Sequence, residues 1–513
     1  MDFDLLGGSW AYRLLGRILS YIVTLAKESA IGRSAAWILR KYQAWAKGSF
    51  IICAISRMAD AFGGSIRNSA MVTRLLKEDE TGRYRERGLV FSLYQWKLAL
   101  LRRAYRAARL DRVFEHSVFR QSWLFAIVVM ALTPILPTMV ILALVLLAVG
   151  SVALGLLHTP SEQLVYSAVN KYTWFYMLAY GLATLASVTF WGSLNAGLIT
   201  LAFILFYHVL LFSIQTKKQL YRLLLVLAGA GALVSAYGIL QFINPDLFAD
   251  NAWLDEDMFE FGARVYSTLH NPNVLGTYLL LVIPPVLAGF VIAPTHQGRL
   301  YFLLCAVALA LCLVLTYSRG AYLGILIALA VFFVLLDRRF IIPGILAVIL
   351  LFMFLPDAIL HRFFSIGDLA DRSTSYRMFI WLGTLAMLRD YWFSGIGPGE
   401  AAWGMVYPAY AFAGITTPHS HNLFLQIISD AGAPGILVFL ALLYQYFKQA
   451  FAALRRRVTG PQRVLVIAGI ASIIGFLVQG MTDYTFYNFR VMLFFWGILA
   501  FGVLAVRYDK LRD

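Results

Sequence analysis

The sequence predicts an all-α polytopic membrane protein: about twelve transmembrane helices, a large external loop with short helices, and a basic amphipathic helical region at the N-terminus. Three observations carry this. Hydrophobic residues fill 60% of the 513 positions. Runs of near twenty apolar residues recur from about residue 122 onward, the length a helix needs to cross a hydrocarbon core of about 30 Å. These runs do not break into short alternating segments, which excludes a barrel and leaves helices as the way to satisfy the backbone in lipid. The third observation is the net charge of +16. In a soluble protein it would suggest nucleic acid. Here the positive-inside rule accounts for it, with anionic membrane lipid rather than nucleic acid as the partner.

Residues 1–121 stand apart. They hold roughly twice as many bases as acids, and in "WAYRLLGRILSYIVTLAKESAIGRSAAWILRKYQAWAKG" the apolar residues recur at helical spacing. That pattern fits basic amphipathic helices lying on an anionic, cytoplasmic membrane face. It also fits a small soluble helical domain with a solvated basic face. The apolar stretches 18–26 and 49–56 are too short to span. No secretory signal is visible, since the first strong apolar span begins near Trp123.

The transmembrane domain is expected over 122–513. Its spans are placed at 122–136, 138–157, 173–191, 196–213, 221–243, 274–293, 300–317, 321–337, 340–356, 423–447, 464–481 and 490–506. Pro134 and Pro137 make the first two a tight pair. With the basic N-terminal region in the cytoplasm, the inward connections carry Lys217 and Lys218, Arg299, Arg338 and Arg339, then Lys448, Arg455, Arg456, Arg457 and Arg463, and the tail "RYDKLRD" also lies inside. A miscount by one span would put several of these clusters outside, so both termini are expected to be cytoplasmic. The connections 244–273 and 357–421 are then long and external, and the latter is too long to be a mere connector. Cys53, Cys305 and Cys312 show no metal or redox spacing.

External loops should be poor in positive charge, so the exceptions matter. Arg264 lies in "GARVYSTLHNPNVLGTY", Arg319 in "LTYSRGAYLG", Arg372 and Arg377 in "DRSTSYRMFIW", and Arg490 follows "TDYTFYNF". The guanidinium fork matches phosphate oxygens and does not deprotonate, so several on one face would suit a pyrophosphate. Each also has a plainer reading: Arg319 as a snorkelling residue at a tight turn, Arg490 as an interface anchor, Arg377 as a surface residue at a helix start, Arg372 as a partner of Asp368 or Asp371. The asparagines of "HNPN" look like a helix cap.

On the same face, "TTPHSHNLFLQIISDAGAPG" places His419 and His421 before an apolar run. A helix from His421 to Phe447 would be about 40 Å long. Its first turns therefore stand above the bilayer, or it breaks at "GAPG". Asn422 can cap its start, Gly432 and Gly435 can admit a neighbouring helix, and Pro434 can bend it. A histidine at this boundary can take a proton near neutral pH. Two imidazoles without a carboxylate or cysteine cluster nearby make a weak case for zinc, so no metal and no cofactor is expected.

The string His421, Asn422, nine residues, Gly432, two residues, Gly435 resembles the H-[NSQ]-x9-G-x-x-[GTY] signature of bacterial O-antigen ligases. "GIGPGEAAWGMVYPAY" and "HSHNLFLQ" are similar to the external loop of the O-antigen ligase and polymerase superfamily, and "RVYSTLHNPNVLGTY" and "TYSRGAYLG" to its upstream blocks. The resemblance covers roughly 200–506 and leaves out the basic region. It implies a GT-C-type glycosyltransferase, metal-independent and inverting, in the bacterial cytoplasmic (inner) membrane. Such enzymes take a glycan from undecaprenyl pyrophosphate on the outer face and pass it to a hydroxyl of lipid A–core, of another repeat, or of a protein. Chain-length regulators and other envelope-assembly proteins are further partners it suggests. By position, His421 matches the family's essential loop histidine and Arg264 its essential arginine. Arg319, Arg377, Arg372, His419, Asn422 and Asp483 are the candidate substrate-binding residues. Trp392, Trp403, Tyr407 and Tyr410 could stack on sugars or simply pack the loop. The rival readings are a transporter of a lipid-linked or anionic substrate, which would place ionisable groups inside spans, and a scaffold that recruits partners through 1–121.

Overall fold

The computed structural model describes residues 101–115, 118–158, 167–244, 264–341, 372–456 and 458–513, with single positions 99, 344 and 346. The expected N-terminal helices before residue 99, the expected span 340–356 except its few described positions, and the first part of the 357–421 loop lie outside these residues. The chain forms two compact units. One includes 290–303, where the Thr295 hydroxyl accepts from the Gly298 amide and Arg299 Nε donates to the Ala293 carbonyl at 3.2 Å. The other is 79–289 with 304–513 and holds the site described below.

Among the described residues every regular element is a helix, apart from an isolated backbone bridge between Thr216 and Arg512. In chain order the helices are α1 (Leu110–Glu115), α2 (Ser122–Leu132), α3 (Thr138–His158), α4 (Ala168–Leu185), α5 (Phe190–Ser213), α6 (Lys217–Ile243), α7 (Pro272–Ile292), α8 (His296–Val314), α9 (Arg319–Leu336), α10 (Arg372–Tyr391), α11 (Glu400–Val406), α12 (Leu423–Arg455), α13 (Gly460–Gly480) and α14 (Phe489–Val506). Among the described residues nine are long and apolar enough to cross a membrane: α3, α5 to α9, and α12 to α14. The short apolar α2 and the more polar α4 occupy the first and third expected spans.

The hydrogen bonds between elements sort into two ends of the bundle. At one, Lys217 Nζ meets Asp513 Oδ1 at 2.6 Å, Arg463 donates to the Leu335 carbonyl, and Gln462 to that of Val506. At the other, Arg264 donates to the Thr316 carbonyl, Gln479 to that of Asn273, Asn422 to that of Met481, and Arg490 to that of Thr268. Lys217, Arg463 and the tail thus gather at the end opposite the isolated arginines and the histidines.

Small residues bring α9 and α13 together. A Cβ on Gly324 would lie 2.8 Å from the Gly475 carbonyl, and one on Gly475 2.8 Å from that of Gly324. Without a solvophobic drive between helices in lipid, such close backbone approach supplies the packing. Ser472 adds a hydrogen bond to the Leu281 carbonyl of α7.

Three expectations are corrected. The turn between the third and fourth spans falls at 186–189, not 192–195. Ser187 makes it: its hydroxyl accepts from the Thr189 amide and donates to the Ile396 carbonyl. Second, the segment expected to be an external loop with short helices also holds a longer one, because α10 runs for 20 residues. It buries Ile380, Thr384 and Met387, one stripe at helical spacing. Third, Gly432 admits no helix. A Cβ there would stand 1.9 Å from the Phe393 carbonyl oxygen, and one on Gly435 would meet α12's own Ala431.

The break in α12 sits at Gly432 (φ 62°, ψ −165°). Opening a helix frees carbonyls and amides that need partners. The extended segment after α10 supplies them: the Ile396 and Gly397 amides donate to the Ser429 and Asp430 carbonyls, and the Ala433 amide donates to the Trp392 carbonyl.

Candidate active site

His421 sits in the turn before α12 with φ 49°, a left-handed conformation unusual for a residue with a Cβ. The next residue starts the helix. The Asn422 side chain accepts from the Phe424 and Leu425 amides at 3.0 Å and donates to the Met481 carbonyl at 2.7 Å. The cap expected of Asn422 therefore also ties the turn to the end of α13. Behind it, the Ser420 amide donates to Gln426 Oε1 and the His421 amide points to His419 Nδ1 at 3.3 Å.

His421 Nδ1 lies 3.2 Å from Asp483 Oδ1. Asp483 is buried, which by itself would raise its carboxyl. The hydrogen bond from His421, then the charges of His421, Arg377 and His419, outweigh burial and hold it well below the ordinary carboxylate range. An ionised Asp483 only accepts, so His421 Nδ1 carries the proton of this contact and Nε2 is the ring nitrogen left to face a substrate. The same oxygen also accepts from the Tyr484 amide at 2.8 Å, which fixes the carboxylate.

His419 is a different kind of histidine. Burial first, then the neighbouring His421 and Arg377, push it down to about 3 against the pull of Asp483. Its ring stacks on Tyr487 with centroids 4.6 Å apart and lies 4.2 Å from the His421 ring. It is a neutral packing partner at physiological pH.

Arg264, Arg319 and Arg377, distant in sequence, line one polar pit of about 30 Å³ together with Asn273, Gln479, Thr482 and Asp483. Arg264 is aimed by three acceptors: the Thr316 carbonyl (3.1 Å), Asn273 Oδ1 (3.2 Å) and the Tyr317 carbonyl (3.5 Å). Arg319 opens α9, where the helix N-terminus adds to the positive potential. Arg377 reaches in from α10, and Arg372 begins the same helix, though its side chain lies outside the described set. Arg490 does not join the pit; it donates to the Thr268 carbonyl.

Beside the pit, sharing Asn273 and Asp483 with it, opens a cavity of about 750 Å³ whose wall includes His419, His421, Gln426, Asp430, Tyr484 and Arg490. That is within the usual range of small-molecule sites. Of the loop aromatics, Trp403 and Tyr407 are fully buried and stacked on each other, so they pack the loop, while Trp392 is exposed.

Sequence reasoning missed several members. Asn273 was legible as part of "HNPN", but the cap is Asn271, whose Oδ1 accepts from the Asn273 and Val274 amides, and Asn273 is freed to hold Arg264. Gln479 lies inside an apolar span and gave only its polarity as a signal. Asp430 is a buried acid within a span, the one kind of residue whose cost in lipid marks function.

No curated protein matches the chain. Residues 304–440, which carry Arg319, Arg377, His419 and His421, match the sequence model of the family described as O-Antigen ligase. Over that stretch the chain is similar to the O-antigen ligase family.

Proposed function

We propose that this protein is a membrane glycosyltransferase that moves an oligo- or polysaccharide from undecaprenyl pyrophosphate to a hydroxyl acceptor on the outer face of the bacterial cytoplasmic membrane. One observation carries the reading: three arginines, one from the segment before α7 and two from α9 and α10, line a pit that shares Asp483 with the His421 side chain.

In the reaction, His421 Nε2 removes the proton from the acceptor hydroxyl as its oxygen attacks the anomeric carbon. The bond from that carbon to the pyrophosphate oxygen breaks, and the electron pair leaves on the diphosphate. Attack opposite the leaving group inverts the anomeric centre. Arg264, Arg319 and Arg377 stabilise the charge that gathers on the leaving group, and being held in place beforehand they need no reorganisation. Asp483 keeps Nδ1 protonated and stabilises the imidazolium as it forms. The adjoining cavity would take the acceptor end of the glycan.

The test is transfer by protein reconstituted in liposomes, with a polyprenyl-pyrophosphate-linked glycan as donor. His421→Ala and Arg264→Ala should abolish transfer while the protein is still obtained folded at normal yield. Full activity in either variant would overturn the reading. Surface glycans of a deletion strain distinguish the acceptor: loss of long chains with a single residual repeat indicates a polymerase, and free lipid-linked chains indicate a ligase.

A further inference from the structure

The mechanism above uses neither Gln426 nor Asp430, yet both are buried on the wall of the large cavity. Their hydrogen bonds form a directed chain. The Ser420 amide donates to Gln426 Oε1 at 2.8 Å. Gln426 Nε2 donates to Asp430 Oδ1 at 2.9 Å. Tyr180, from α4, donates to Asp430 Oδ2 at 3.5 Å. The chain starts on the residue immediately before His421 and ends on a neighbouring helix.

The orientation of each link follows from the one before it. A backbone amide can only donate, so it selects the oxygen of the Gln426 amide. The nitrogen of Gln426 must then find an acceptor, and Asp430 is there one helical turn further along, at i+4. Asp430 is itself fixed, because the segment after α10 pairs with its backbone carbonyl across the opened helix. A buried chain of this kind is costly if one link is missing and rigid if all are satisfied.

From this geometry we infer that Gln426 and Asp430 are positioning residues: together they lock the left-handed turn that aims His421 at the acceptor hydroxyl. The inference rests on the glycosyltransferase reading. The lock acts on the rate of the chemical step, because it sets where Nε2 stands, and not on capture of the donor, whose diphosphate is held by the arginines.

The experiment uses the full-length protein in liposomes, with kcat and the donor KM measured separately. Q426E keeps the acceptor for the Ser420 amide but sets a carboxylate against Asp430; kcat should fall by about ten- to a hundredfold, the scale of a misplaced catalytic group, with donor KM within about twofold. D430N, which retains an acceptor for the Gln426 nitrogen, supplies the other single-variant corner of the cycle. The double variant Q426E/D430N reverses donor and acceptor across the pair: the carboxylate at 426 accepts from both the Ser420 amide and the new amide at 430. It should recover most of the lost kcat, a coupling that a double-mutant cycle reads directly. Recovery in the double variant supports the lock, since a general loss of packing would not be repaired by a second substitution. A double variant no faster than Q426E, or Q426E with wild-type kcat, overturns it. His421→Ala run alongside separates the two claims: if that variant is also fully active, the glycosyltransferase reading fails; if it is inactive while Q426E is not, only the lock fails.

Discussion

Asp483→Asn tests the electrostatics of the site at a single atom. The substitution keeps the shape of the side chain, and an amide oxygen can still accept from the Tyr484 amide, so the turn should hold. What disappears is the negative charge 3.2 Å from His421 Nδ1. Two opposite unit charges at that separation attract by about 5 kcal/mol at an effective dielectric constant near 20. The partners are well shielded, with side chains 23% and 7% exposed, so most of this survives screening. The attraction exists only once His421 has taken the acceptor's proton, and it therefore belongs to the transition state and not to substrate binding. Allowing for the amide dipole that replaces the carboxylate, kcat should fall by roughly 10² to 10⁴, with donor KM little changed. Initial rates of glycan transfer by protein in liposomes measure both. A variant within about threefold of wild type, while His421→Ala is inactive, would refute the assignment of Asp483 as the group that stabilises the imidazolium.

Three further outcomes are expected. His419 stays neutral in the folded protein down to about pH 3, whereas an unfolded histidine takes a proton below about 6.5; the unfolded state thus binds more protons across that window and stability falls with acid, by about 2.7 kcal/mol over two pH units. Thermal midpoints in detergent between pH 6.5 and 4.5 should fall less steeply with acid in His419→Phe than in the wild type; an unchanged slope would contradict the assignment. Gly432→Ala forces a Cβ to within 1.9 Å of the Phe393 carbonyl at φ 62° and should cost at least about 2 kcal/mol, read as a lowered midpoint, while Gly404→Ala, which meets nothing within 4 Å, should leave it unmoved. Arg264→Lys preserves the charge but cannot serve the Thr316 and Asn273 acceptors with one planar fork; activity should fall by about 10- to 100-fold, and a wild-type rate would show that a point charge suffices.

The parts legible in the sequence were those with a local physical signature. Span positions follow from the hydrocarbon thickness, and the side on which each connection lies follows from charge, so that Arg264, Arg319 and Arg377 could be put on one face before any contact was known. The Asn422 cap is written in the residue type and its place before an apolar run. What could not be read were partners that exist only after helices pack. Nothing near Gln479 says that its amide will bridge to Asn273 and Thr277 of another helix. Asp483 could be suspected, but its burial beside His421 depends on the end of α13 being tied to the turn before α12. Asp430 had a signal, an acid within a span, and it was overshadowed by the glycines and proline just after it, which announced the break in the helix but not its purpose.

That break connects the strained backbone to the chemistry. Ser267, His270, Tyr317 and His421 all have positive φ without being glycine, and all lie at the end of the bundle that holds the pit. Each such residue costs of order 1–3 kcal/mol and persists only where its surroundings over-determine it. Here the surroundings are the site itself. Gln241 accepts from the Ser267 amide, the Tyr317 carbonyl accepts from Arg264, and His421 is held by His419 on one side and Asp483 on the other. Two of the groups that would bind diphosphate and take the proton, Arg264 and His421, are thus part of the contacts that keep the loops in their unfavourable conformations. Substitution at the site should consequently loosen its backbone as well as remove a functional group. The conservative pairs Arg264→Lys and Asp483→Asn, compared with their alanine counterparts, separate those two losses: the excess loss in the alanine variants should appear in the thermal midpoint as well as in the rate.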